Sequence, residues 1–266
     1  MSVIAAPAAD VRVTLPRVVR SEWIKFRSLR STVVTLLVAM VLVVGFGVLI
    51  TALNGTGQGP GNGTADPTAL SLAGATLAAL ATAVLGVLTA ASEYSTGSIR
   101  ATFSAVPTRL PVLWAKVAVF ASVTFTAMLA AVFAAFLAGQ AILAADGQPS
   151  TSLSDAGVLR AVIGAAVYLT GAGLIGLAVG ALLRNPAGAI STVVGALFVL
   201  PMLTRLLPSD ISDDISPYLP SNAGDAFMNV HTAAGELSPW PGLALFLGYV
   251  VVLLAGAAVL LKRRDA

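Results

Sequence analysis

The residues of this chain that could do chemistry are few, and their types exclude more than they offer. Cysteine is absent from all 266 residues, which removes disulfides, thiolate metal sites, iron–sulfur clusters and cysteine nucleophiles. His231 is the single histidine, too little for a zinc site or a His-based triad, and it reads as a surface residue. Asp210, Asp213 and Asp214 cluster in the polar, Pro-rich stretch 206–240. Hard cations do take carboxylates, but this spacing fits no calcium loop, and a solvated face is the expected reading. The loop 53–68, LNGTGQGPGNGTADPT, resembles a phosphate cradle only in composition, since it has no Gly-Lys-Ser/Thr and follows no strand. It is expected to be a flexible linker. Gly171-Ala-Gly173-Leu-Ile-Gly176 formally matches a dinucleotide fingerprint, yet no strand precedes it and no acid follows about 20 residues on. With Gly180 it reads as a small-residue face for close helix packing. No catalytic residue, metal ligand or directly bound cofactor is expected.

Two stretches hold the remaining side chains of interest. Residues 15–30, LPRVVRSEWIKFRSLR, place Leu15, Val19, Trp23 and Phe26 on one helical face, with Arg17, Arg20, Lys25 and Arg27 around the rest. Such a helix should lie in a membrane interface, its basic groups at lipid phosphates and its aromatics in the acyl boundary. Glu22 falls inside the apolar arc, where a carboxylate wants a partner. An arginine neighbour at headgroup level is the expected one, and a contact to another cytoplasmic element is the alternative. Residues 92–116, SEYSTGSIRATFSAVPTRLPVLWAK, read as a span end carrying Glu93, a break at Gly97, a short helix over 98–105 and a stop at Pro107. A helix held beneath two spans in this way could transmit a push from a cytosolic partner.

The elements that must position these residues follow from composition. The chain is 57% hydrophobic and 10% charged, with a mean hydropathy of +0.92, against about 45–50% and about 25% for an ordinary soluble domain. Six uncharged intervals are long enough to cross a bilayer. Trimmed of polar ends, they predict an all-α protein with spans at about 31–53, 69–91, 117–144, 159–183, 187–205 and 241–261. Residues 1–30 precede them and 262–266 follow. The first apolar run is already a full span, so no cleaved leader is expected. With six spans, 13 of the 15 basic residues fall on the side of the two termini, and only Arg160 and Arg205 lie opposite. Eight of the 12 acidic residues lie on that opposite side. The positive-inside rule then places both termini in the cytoplasm. Tyr94 and Trp114 at the inner face and Trp240 at the outer face suit interfacial aromatic belts, and a short helix over residues such as Ala226–Val230 could dip back into the membrane.

The segment from Glu93 through Gly97, Ile99-Arg100, Pro107, Arg109 and Lys116 resembles the loop after the second span in ABC transporter permeases of the type-2, exporter-like family. Ser-Glu-Trp-x-Lys-x-Arg-Ser at 21–28 is similar to that family's interfacial helix. The resemblance implies a multi-pass permease of the plasma membrane that pairs as a homo- or heterodimer and binds a separate cytosolic ATP-binding subunit. ATP and Mg would belong to that subunit. By the same resemblance Glu93, Gly97, Ile99, Arg100 and Pro107 would form the coupling helix. Glu22, Trp23 and Lys25 would belong to the interfacial helix, and Arg109, Trp114 and Lys116 would anchor the return at the phosphate level. The lipid bilayer, and no nucleic acid, is the remaining partner implied. The expected function is ATP-driven export of a hydrophobic or amphipathic substrate by a non-catalytic subunit.

Independently of the resemblance, no ionisable residue is expected well inside any span, which disfavours a proton-driven carrier. A sodium-coupled carrier working through broken helices, and a non-transporting scaffold, are the alternatives.

Overall fold

The computed structural model describes residues 14–55, 66–105, 109–232 and 235–263. The loop glycines between 56 and 65, and Pro107, lie outside the described residues. A helix α1 (Leu15–Ser28) leads directly into α2 (Arg30–Gly55). Then come α3 (Pro67–Leu72) and α4 (Gly74–Ser95), α5 (Ser98–Ala105), α6 (Leu110–Ala145) and α7 (Val158–Leu183). The chain continues through α8 (Pro186–Val194), a π-helical segment (Gly195–Val199), α9 (Leu200–Thr204), α10 (Ser209–Ile215), a 3-10 turn (Ser216–Tyr218), α11 (Pro220–Asp225) and α12 (Pro239–Arg263). Among the described residues there is no strand.

Six of these helical units are long and apolar enough to cross a membrane: α2, α3 with α4, α6, α7, α8 through α9, and α12. The chain is therefore a polytopic α-helical membrane protein. Helix α6 begins at Leu110, about two turns before the expected start at 117. Pro111 occupies its first turn, where a missing N–H costs nothing, and the helix carries Lys116 inward rather than beginning after it.

The centre of the bundle is α7, 83% of whose most apolar window is buried, against 17% for α2 and 22% for α12. The small residues expected to form a packing face do so, against α4. A Cβ on Gly86 would collide with the Gly173 carbonyl, and one on Gly176 with the Ala83 carbonyl. At Gly180 it would meet the Val87 oxygen at 2.8 Å. Gly173, Gly176 and Gly180 recur at three- and four-residue steps, so they share one face, and their lack of side chains lets the two backbones touch. Where lipid and protein are equally apolar, such close packing supplies the attraction that hydrophobicity cannot. Gly173 also borders the ring of Phe120 from α6, and on another face of α7 Gly171 borders that of Phe246 from α12.

The span built from α8 and α9 departs from regular geometry just before Pro201. Leu200 N–H bonds to the Gly195 carbonyl, an i to i−5 step that accommodates a proline with no N–H of its own.

At the end of the bundle opposite α1 and the end of α12, α11 packs onto the bundle. Gly224 rests on the rings of Tyr168 and Phe246, and Gly164 on Phe227. Tyr168 lies ten residues into α7, or about 15 Å at 1.5 Å per residue. The short helix at this end thus occupies 220–225 rather than the expected 226–230. Pro220 starts it, and residues 226–230 form the turn out, where Arg160 donates to the carbonyls of Phe227 and Asn229 at 2.7 and 2.8 Å.

Candidate functional site: a four-charge cluster joining three helices

At the end of the bundle shared by the described N- and C-terminal helices, α1 packs along α6. Val18 sits against Val112 and Ala115, and Phe26 meets Phe120 edge-on at 6.3 Å between ring centres. This packing delivers Glu22 into the protein, where it is only 3% exposed. Its carboxylate is satisfied on both oxygens. Lys25 Nζ donates to Oε1 at 2.7 Å, and Lys116 Nζ donates to Oε2 at 2.7 Å. The expected arginine at headgroup level is therefore replaced by two lysines, one of them on another helix.

Glu93, in the last turn of α4, completes the cluster. Its Oε1 accepts from Lys116 at 2.9 Å and from Lys25 at 3.2 Å. Its Oε2 is buried without a hydrogen-bond partner. Two carboxylates and two ammonium groups thus form a closed ring across α1, α4 and α6, with no net charge. Burial alone is unfavourable to such ions, and it is tolerated here because each is hydrogen-bonded to an opposite charge. Burial of Lys25 pulls its pKa down, but the hydrogen bond and charge of Glu22, and then the charge and hydrogen bond of Glu93, outweigh it and leave the group above its usual value.

Helix α5 hangs from this cluster. Lys25 Nζ reaches Thr102 Oγ1 at 3.3 Å. The break between α4 and α5 is made at Gly97, whose φ of +73° is the left-handed conformation that glycine adopts at little cost. Ile99 is buried. Arg100 lies within α5. A cavity of about 490 Å³ opens between these elements, lined among others by Glu22, Lys25, Thr32, Glu93, Thr102 and Lys116.

The remaining expected site residues divide by exposure. Trp23 and Trp114 are 45% and 47% exposed, as an aromatic at a membrane interface would be. Arg109 is half-buried and directly precedes α6. Lys116 differs from expectation. A phosphate-level anchor would project outward, whereas Lys116 is 8% exposed and bonded to two carboxylates. The reason is its place in the second turn of α6, on the face that α1 covers.

Sequence reasoning did not single out Thr102, nor the joining of Glu22 to Glu93 through the lysines. It also passed over Arg184, which lies over the Tyr94 ring at 5.0 Å and ties the end of α7 to the end of α4. Its left-handed φ of +54° ends α7 sharply. Compared with protein-family models and with curated proteins, the chain matches none.

Proposed function

We propose that the chain is the membrane-spanning permease subunit of an ATP-binding cassette transporter, exporting a hydrophobic or amphipathic substrate with energy from a separate ATP-binding subunit. The observation that carries this reading is the attachment of a short helix, α5, through Lys25 and Thr102, to an ion-pair ring that also holds α1, α4 and α6. A force applied to α5 from outside the membrane would be delivered to two spans and to the amphipathic helix together. The ring suits that task, because each of its ions is held by two opposite charges on different helices, and removing a member leaves a partner poorly compensated.

By the positive-inside rule this end would face the cytoplasm, and the membrane would be the plasma membrane. Closure of two ATP-binding subunits would displace α5 in each of two permease copies. Spans α4 and α7, locked backbone to backbone, would move as one body, while the peripheral α2, the α8–α9 unit and α12 would shift around them. The irregular segment before Pro201 supplies one place where such a shift could be absorbed. Arg100 and Pro107 would complete the surface offered to the ATP-binding subunit, and the apolar lining of the spans favours an apolar cargo.

The test is purification of the tagged chain from native membranes in mild detergent, with identification of what accompanies it and assay of ATP hydrolysis. A stoichiometric ATP-binding subunit whose activity changes with Glu93→Ala is the expected result. A chain that purifies alone with no nucleotide-dependent activity overturns the reading in favour of an ion-coupled carrier or a scaffold.

A further inference from the structure

The end of the bundle opposite the four-charge ring contains a second cavity, of about 440 Å³. It lies where α3 and the start of α4 face α10, α11 and the segment before α12. Its apolar wall includes Leu72, Met228 and Leu237, and its polar wall includes Asn222, Asp225 and Asn229. The walls are held by specific bonds. Asn222 donates to the Ser216 carbonyl at 2.7 Å, Met228 N–H to the Asp225 carbonyl at 2.8 Å, and Arg160 fixes the carbonyls of residues 227 and 229. Asn229 donates to Glu236 Oε2 at 3.2 Å.

Asp225 is the anomaly. It lines the cavity, yet its Oδ1 is sealed from solvent and receives no hydrogen bond. A carboxylate in that position is expensive unless a positive charge or donor reaches it. The charged and titratable groups around it do not provide one. Glu236, before α12, adds a second negative charge that disfavours ionisation, and Tyr168 on α7 is buried beneath α11. Asp213 on α10 brings a third carboxylate to the lining, and Arg205, following α9, the one cation among the described lining residues. No three acidic or histidine side chains among the described residues are grouped to hold a metal ion.

We propose that this cavity binds a small organic ammonium ion, with Asp225 as its counter-ion and the Leu72, Met228 and Leu237 side chains against its hydrocarbon part. The ammonium contributes the missing positive charge, and the mixed walls suit a cation with an apolar body better than a bare metal ion. The site lies at the opposite end from the four-charge ring, and its occupancy requires neither ATP nor another subunit, so its test stands or falls apart from the transport reading.

Burial, followed by the charge of Glu236, pushes the Asp225 pKa up to about 7. A cation favours the ionised form, so binding strengthens as pH rises through that value. The experiment uses the purified full chain in nanodiscs of zwitterionic lipid and titrates n-butylammonium calorimetrically at about pH 8 and about pH 5.5, on either side of the Asp225 transition. Uncharged n-butanol serves as the control. Saturable binding of n-butylammonium at the higher pH, weaker at the lower, is expected. Asp225→Asn is expected to weaken it by roughly tenfold or more, the worth of a charge-assisted bond, and Glu236→Gln by less. The unfolding midpoint of Asp225→Asn without ligand reports whether that variant is folded, and Asp225→Glu, which keeps the charge, is expected to retain binding. Absence of saturable binding at pH 8, equal binding of n-butanol, or undiminished binding by folded Asp225→Asn each overturns the proposal.

Discussion

Replacing Lys116 by Met tests whether the four-charge ring is what joins α1 to the bundle. Lys116 Nζ donates at 2.7 Å to Glu22 and at 2.9 Å to Glu93, and the residue is 8% exposed. Removing one member of a buried, hydrogen-bonded pair costs about 3–5 kcal/mol, mostly because the partner is left charged and dry. Lys25 remains 2.7 Å from Glu22 and 3.2 Å from Glu93, so the loss should fall at the low end, about 3 kcal/mol. Methionine nearly fills the lysine volume, which keeps cavity formation out of the measurement. Adding Glu22→Gln then returns the ring to neutrality, with Lys25 facing Glu93 alone. The double variant should therefore recover most of the loss and lie within about 1 kcal/mol of the parent. Reversible unfolding in mixed micelles of increasing SDS fraction measures both variants. A Lys116→Met effect below about 0.5 kcal/mol, the range of an ordinary surface change, would refute the reasoning. So would a double variant whose loss equals the sum of the two single losses, because independent sites add and members of one ring do not.

Three other outcomes follow from particular contacts. Gly86→Ala should lower the unfolding midpoint clearly, since its methyl group meets the Gly173 carbonyl, while Gly45→Ala, with nothing within 4 Å, should be neutral or slightly stabilising. Gly97→Ala should cost about 1 kcal/mol from its left-handed backbone alone, without steric conflict; Gly97→Pro should additionally uncouple ATP hydrolysis from transport if α5 receives the force. For Asp225 the folded pKa, about 7, lies above the ordinary 3.8. Between those values the folded state holds more protons than the unfolded one, so stability should fall as pH rises from about 4 to about 7 and then level off. Asp225→Asn should flatten that profile, which thermal unfolding across pH would show.

The spans were legible because an uncharged interval of about 20 residues has few uses other than crossing a bilayer. Their ends were less so, and α6 shows why. A charged residue ordinarily marks a boundary, but Lys116 is neutralised by Glu22 and Glu93 and so could be carried two turns inside the helix. The need of Glu22 for a partner was visible in its place on an apolar arc. Its second partner was not, since Lys116 lies 94 positions away and only the packing of α1 on α6 brings them together. The glycines of α7 announced close packing by their spacing, and α4 as the helix they meet became apparent only in three dimensions. The short helix at the opposite end begins at Pro220 rather than at 226, and Asp225 was overlooked because nothing local distinguishes a buried aspartate from the solvated ones at 210, 213 and 214.

The ring also imposes an order on how the chain is made. Glu22 is synthesised early, and 94 residues separate it from Lys116. At about 5–20 residues per second that interval lasts roughly 5–20 seconds. During it two spans emerge while α1 has only Lys25 to answer its carboxylate, and the arrival of Glu93 deepens the deficit. Helix α1 therefore has its full set of partners only once the start of the third span has been made. Its docking makes the ring a sign that the first half of the protein has assembled correctly.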